Sequence, residues 1–257
     1  MRDRNPHLLI LAGTSDAGRL ADAAAARFGG ALTVTVSLAG RTESPETAAG
    51  HMRIGGFGGD AGLAKWLQTA RVDMVVDATH PFAAQISSNA RKACQSAGIP
   101  RLLFSRPPWT SVAGDRWQSV PDFAAAAAIL PQLGARIFLS IGSQKLDAFA
   151  GMPGIHLVVR MIDPPKTELP LAAYSVILGR GPFGEAAEIE LLRRERIDAV
   201  VSRNSGGVAT FAKIAAARRL RLPVVMIAPP PPEDGQHVEK LEEALQWVAQ
   251  KMERKEH

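Results

Sequence analysis

The sequence is poor in the residues that several function classes require. Its 257 residues include one cysteine, Cys94, so no intramolecular disulfide can form, and no Cys/His spacing of a metal site surrounds it. Cys94 lies in a helical stretch, where a small filler residue is preferred to a reactive thiol. Aromatic residues make up 5%, with a single tyrosine, which leaves little for stacking nucleobases. No apolar run approaches the roughly 20 residues of a membrane span. The first one, Leu8 to Leu11, follows a polar lead and is too short for a signal core. The formal charge is +5, from 30 basic and 25 acidic residues. That excess suits an acidic ligand, and the pairs Arg193-Arg194 and Arg218-Arg219 read as solvated faces of predicted helices. Neither a Ser-His-Asp set, nor HExxH, nor a Walker lysine motif, nor a metal-spaced cluster is present. The expectation is a cytoplasmic monomer without nucleic-acid, membrane or metal partners.

What is present is an alternation of short apolar runs with Ala-rich helical stretches, the pattern of an α/β protein with a parallel sheet. Strands are predicted at Leu8–Leu11, Leu32–Leu38, His51–Ile54, Met74–Val76 and Leu102–Phe104. Helices are predicted at Ala17–Phe28, Asp60–Ala70 and Phe82–Ala97. The stiff segment 106–120, with Arg106-Pro107-Pro108-Trp109, reads as an irregular join. Strands resume at Arg136–Leu139, Leu157–Val159, Ser175–Leu178, Ala199–Val201 and Val224–Ile227, and a final helix is predicted at Val238–Val248. The halves echo each other: Asp73-Met74-Val75-Val76-Asp77 resembles Asp198-Ala199-Val200-Val201-Ser202. Two Rossmann-like halves are therefore predicted, 1–112 for a dinucleotide and 113–257 for the substrate, with a ligand cleft between them.

Several turns carry candidate chemistry. Gly13-Thr14-Ser15-Asp16-Ala17-Gly18 joins a strand to a helix and matches the dinucleotide fingerprint at its first and third glycines. Gly13 would allow the tight turn, Gly18 close helix packing, and the helix N-terminus would receive a pyrophosphate. Asp16 is predicted to cap the helix. The end of the second strand reads Ser37-Leu38-Ala39-Gly40-Arg41-Thr42. It lacks the carboxylate of an NAD reader, and Arg41 suits the 2′-phosphate of NADPH, the alternative being an ordinary surface arginine. In Asp77-Ala78-Thr79-His80-Pro81-Phe82, Pro81 fits the first helical position, with Thr79 beside the nicotinamide. His80 is then either a proton donor or part of a helix-capping turn.

In the second half, Gly142-Ser143-Gln144-Lys145 is predicted to open a helix and bind a carboxylate or phosphate. Arg203-Asn204-Ser205-Gly206-Gly207 offers a denser set of donors. Lys213 is placed about two turns into the following helix, facing the same ligand.

These segments together resemble the precorrin-6A reductase family, in its cobalt-free or cobalt-bearing version. The matching stretches are Leu11 to Arg19, Asp77 to Ala83, Ser140 to Ser143, Gly181-Pro182-Phe183 and Arg203 to Gly207 with Lys213. The resemblance implies NADPH on the first half, a polycarboxylate tetrapyrrole as substrate, and reduction of one macrocycle double bond. Two rival readings are a non-catalytic nucleotide-sensing module and a transferase using another nucleotide.

Overall fold

Strands of a helix-covered parallel sheet are buried on both faces, so they read as continuous apolar runs. The computed structural model describes residues 4–39, 49–143 and 145–253. In it β1 (His7–Ala12) sends Leu8 and Ile10 into one core cluster and Leu9 and Leu11 into another. With strands numbered along the chain, β2 (Thr33–Leu38) and β3 (His51–Ile54) extend the sheet to one side of β1. On the other side lie β4 (Met74–Ala78), β5 (Arg101–Phe104) and, last, β12 (Gln236–Val238). All neighbours are parallel. Helices α1 (Ser15–Phe28) and α7 (Leu241–Glu253) cover the Leu8 face. Helices α2 (Gly59–Thr69) and α3 (Ala84–Ala97) cover the Leu9 face.

The second sheet has the order β6-β11-β10-β7-β8-β9 and is also parallel throughout. Its strands are β6 (Trp117–Val120), β7 (Arg136–Ser140), β8 (His156–Met161), β9 (Tyr174–Leu178), β10 (Ala199–Arg203) and β11 (Val224–Ile227). The accompanying helices are α4 (Phe123–Ile129), α5 (Glu185–Arg194) and α6 (Ala212–Arg219). Asp122 caps α4 by accepting the Ala125 N–H at 2.7 Å.

The chain divides into residues 1–107 with 230–257, and residues 108–229. This corrects the expected division at 112, because the carboxy-terminal segment belongs with the first sheet. After β5 the chain supplies β6 to the second sheet, and after β11 it supplies β12 to the first. The returning segment is pinned by Arg91 Nε to Glu233 at 2.6 Å and by Arg101 Nη1 to the Asp234 carbonyl at 3.2 Å. Helix α7 then buries Ala244, Leu245, Trp247 and Val248 in the first core. Both exchanged strands were missed in the sequence: Trp117–Val120 fell in the expected irregular join, and Val238 was read as helix. Both are short edge strands, WQSV and QHV, without the apolar run that marks the central ones. Among the described residues no helix is long and apolar enough to cross a membrane.

Candidate functional site

In the first unit the connections from β1 and β4 leave in opposite directions, which opens a crevice at the carboxyl ends of these neighbouring strands. Ala12 and Ala78 are register partners there. A Cβ on Gly13 would lie 2.9 Å from the His80 backbone nitrogen and 3.3 Å from Thr79 Cα, so only glycine fits. Thr14 Oγ1 donates to the Ala78 carbonyl at 3.2 Å. The Gly13–Ser15 turn and the Thr79–Phe82 turn are thus brought together. Thr14 is the N-cap of α1 and makes no side-chain capping bond.

Two expectations in this turn are corrected. A Cβ at Gly18 meets nothing within 4 Å, so packing of helix on strand does not require glycine there. Asp16 lies inside the first turn of α1 and does not cap it. Its carboxylate instead pairs with Arg106 Nη1 at 2.7 Å and, more loosely, with Arg19 at 3.7 Å.

The Thr79 turn is fixed from beneath. Asp77 is fully buried; its Oδ1 accepts the Thr79 hydroxyl at 2.8 Å and the Thr79 N–H at 3.3 Å. Its Oδ2 accepts from Ser87 Oγ and from Arg101 Nη2, the latter at 3.1 Å. His80 Nδ1 accepts the Phe82 N–H at 3.2 Å, which leaves the proton of a neutral ring on Nε2. Pro81 does not open the helix as expected. The His80 carbonyl accepts the Ala83 N–H at 2.7 Å, closing a separate turn before α3 begins at Ala84.

Arg41, Thr42 and Gln144 lie outside the described residues. Sequence reasoning passed over the neighbouring Gly55-Gly56-Phe57-Gly58-Gly59 run between β3 and α2, although four glycines in five residues were plain to see. Together with Leu11, Ser37, Thr79, Ile86 and others, this run lines a cavity of about 180 Å³. Cys94 is buried, and burial pushes its thiol up to about 12, which keeps it protonated and unreactive.

The second unit repeats the arrangement with different chemistry. Ser140 and Ser202 are register partners at the ends of β7 and β10. The Cβ position of Gly142 lies 3.9 Å from Arg203 Nη2, so these two predicted turns also meet. The segment after Gly142 is not an α-helix as expected. It is a short 3-10 turn, Leu146–Phe149, preceded by Lys145 at φ +65°. Asn204 serves the protein itself: Oδ1 accepts the Trp109 N–H at 2.7 Å and Nδ2 donates to the Trp109 carbonyl at 2.9 Å. Trp109 Nε1 donates to the Gly207 carbonyl at 2.7 Å. Ser205 is buried, and Gly206 and Gly207 take φ of +65° and +75°, which glycine adopts without strain.

Lys213 is also placed differently from expectation. Because the glycine turn runs on to Phe211, α6 starts at Ala212, and Lys213 sits in its first turn. It is 4% exposed and donates to the Thr210 carbonyl at 2.7 Å. Burial lowers its pKa to about 7, with Glu188 opposing and Arg160 and Arg203 adding to the shift. Nearby Arg160 makes a two-pronged bond to buried Glu188, at 3.0 and 2.7 Å. A larger groove of about 640 Å³ includes Trp117, Asp198 and Pro223. It lies at the amino ends of β6, β10 and β11, the edge away from the paired turns, so it is not the candidate site.

Two parallel six-stranded sheets, one with a glycine turn and an uncapped helix N-terminus at its crevice, define a Rossmann-type α/β protein. Residues 7–249 match the family described as Precorrin-6x reductase CbiJ/CobK. The chain belongs to that family. It is 46% identical to the precorrin-6A reductase of Rhodobacter capsulatus over 94% of this chain and 95% of that protein. The solved structure of CobK precorrin-6A reductase superposes with a TM-score of 0.91 at 46% identity, covering 96% of this chain and 97% of that one. A cobalt-precorrin-6A reductase from Priestia megaterium is 28% identical over 93% of this chain and 96% of that protein.

Proposed function

We propose that the protein reduces one macrocycle double bond of precorrin-6A, giving precorrin-6B in cobalamin biosynthesis, with NADPH as reductant. The observation that carries this reading is the first crevice, where Gly13 lets the Thr79–His80 backbone close over the start of an uncapped helix. Family membership supplies the reaction class. The relatives at 46% and 28% identity favour the cobalt-free substrate over the cobalt-bearing one.

On this reading Gly13, Thr14 and Ser15, with the first-turn N–H groups of α1, receive the pyrophosphate. Asp16 is held back from those phosphates by its pairing with Arg106. Arg41 and Thr42 remain assigned to the adenosine end, and Gly18, at the start of α1, faces open space. Thr79, fixed by Asp77, forms the wall beside the nicotinamide. Bound NADPH would supply a hydride to one carbon of the macrocycle. The adjacent carbon would take a proton, for which His80 or water is the candidate donor, with Pro81 and Phe82 shaping the turn.

The second unit offers its own turns to the substrate carboxylates: Gly142, Ser143, Gln144 and Lys145 in one, Arg203, Ser205, Gly206 and Gly207 in the other. Asn204 and Lys213 act here as positioning residues, since both are bonded to the protein backbone. The test is to mix the pure protein with NADPH and precorrin-6A and follow NADPH absorbance and the tetrapyrrole spectrum together. Consumption of NADPH with formation of precorrin-6B is expected. Tight nucleotide binding with no turnover would instead favour the sensing module, and a preference for S-adenosylmethionine or a nucleotide-sugar would favour the transferase.

A further inference from the structure

The groove of about 640 Å³ at the amino edge of the second sheet plays no part in the steps above. Its surrounding arginines are scattered along the chain, and Arg193-Arg194 and Arg218-Arg219 read in the sequence as separate helix faces. The fold brings them to one place. Helices α5 and α6 pack side by side, and the turns after them enter the neighbouring strands β10 and β11. Segments 115–118, 132–136, 193–198 and 218–223 surround the amino ends of β6, β7, β10 and β11. They carry eight arginines and three carboxylates. That excess equals the +5 of the whole chain, so the remaining charges balance.

The three carboxylates are already engaged. Asp115 holds Arg218 at 2.8 and 3.3 Å, and Glu195 is shared by Arg136 at 3.5 Å and Arg194 at 3.1 Å. Asp198 Oδ2 accepts the Ala135 and Arg136 N–H groups, each at 2.8 Å. Arg116, Arg193, Arg196, Arg219 and Arg221 are exposed and pair with no carboxylate among the described residues. A helix dipole favours cations in the last turn, which accounts for Arg193 and Arg219. It does not account for Arg116, Arg196 and Arg221, which lie outside both helices. Arg116 Nη1 even donates to the Arg221 carbonyl at 2.8 Å, so two cationic residues are held together with no acid between them.

Arg116 and Arg221 line the groove together with Trp117, Leu133, Leu222 and Pro223. Its volume lies within the roughly 300–1,000 Å³ of small-molecule sites. The Trp117 indole N–H is buried and has no acceptor among the described residues, a state that folded proteins seldom leave unanswered. An apolar wall rimmed by guanidinium groups suits a ligand with a flat apolar body and several carboxylates at its edge. A lone phosphate would leave that wall unused.

We propose that this groove is a second binding site for a carboxylated tetrapyrrole, at the sheet edge opposite the paired turns. The choice of ligand class rests on the reading above, and the site itself on the groove and its arginines. The test is NMR of the tryptophan indole N–H groups while the full chain is titrated with uroporphyrin I, a stable tetrapyrrole with carboxylates around its rim. The Trp117 signal, assigned with Trp117→Phe, should shift. Arg116→Glu combined with Arg221→Glu should weaken this response about 10- to 100-fold, the worth of one or two charge-assisted bonds. Arg219→Glu, an exposed helix position with no bond to lose, should weaken it less, by about 3-fold. Arg203→Ala, at the candidate substrate turns, should leave it unchanged.

The proposal is overturned if uroporphyrin I does not move the Trp117 signal, if neither charge reversal weakens the response, or if Arg203→Ala removes it. An equal response to hexaglutamate or duplex DNA would also overturn it, since the edge would then be a general polyanion surface. A protein that binds uroporphyrin I here yet fails to reduce precorrin-6A would overturn the reductase reading and keep this site.

Discussion

The two units run the same strand order, and at the end of the strand beside the central one they use different residues. The first has Asp77 on β4, buried and bonded to Thr79, Ser87 and Arg101. The second has Ser202 at the corresponding place on β10, and its buried charges lie on β8, α5 and α6 as Arg160, Glu188 and Lys213. A carboxylate in the first crevice orders backbone while it is itself neutralised by Arg101. The second unit instead pairs Arg160 with Glu188 and buries Lys213 against the Thr210 carbonyl, so its charges lie away from the strand end that Asp77 occupies in the first. The duplicated frame supplies position, and the residues at each crevice differ in what they hold in place.

The units also differ in continuity, and this difference should give the largest experimental effect. Residues 108–229 are one unbroken segment, whereas the first unit needs both 1–107 and 230–257. A 108–229 fragment should fold alone. A 1–107 fragment should not, since it leaves β5 without its outer neighbour and uncovers the surface that Leu245, Trp247 and Val248 bury. Joining 230–257 to it by a flexible linker should restore dispersed amide NMR signals. A well-folded 1–107 fragment would show that the exchanged segment contributes little.

A smaller effect should separate the buried charges. The pKa of Lys213 in the folded protein is about 7, against an ordinary 10.5. Below pH 7 both states hold the proton, so stability does not change on this account. Between those two pH values the unfolded chain holds a proton that the folded chain has lost, so stability rises with pH. The slope for one proton is at most about 1.4 kcal/mol per pH unit. Urea unfolding across this window should show the rise in the wild type and lose it in Lys213→Met. An identical slope in the variant would mean that another group titrates.

The smallest effects distinguish the two fingerprint glycines. Gly13→Ala should cost about 1–3 kcal/mol, the range for overpacking, because the new methyl meets the His80 and Thr79 backbone. It should also weaken dinucleotide binding. Gly18→Ala places its methyl in open space within α1 and should stabilise the fold by roughly 0.5–1 kcal/mol. If Gly18→Ala binds NADP⁺ normally, its resemblance to the third fingerprint glycine carries no function. Equal destabilisation by both substitutions would contradict the packing described here.

The positions of the candidate turns were legible because they follow strand ends. The glycine turn, the Thr79–Phe82 turn and the Arg203–Gly207 turn each follow an apolar run, and parallel pairing brings such ends together. What escaped was of two kinds. Helix starts were misplaced at Pro81 and Lys213 because turn geometry decides where the first helical bond forms. Asn204 and Lys213, both assigned to the substrate, also bond to the backbone, a use that residue type does not reveal.

Composition and the run of apolar segments determined the α/β class, the two halves and the chemistry-bearing turns, since burial on both faces and glycine-dependent turns are local properties. The exchange of β6 and β12, the pairing of Arg101 with Asp77 and the bonds of Asn204 to Trp109 were decided only by tertiary structure. Each depends on which distant segments meet, and a short edge strand or a single polar side chain carries no periodic signal of its partner.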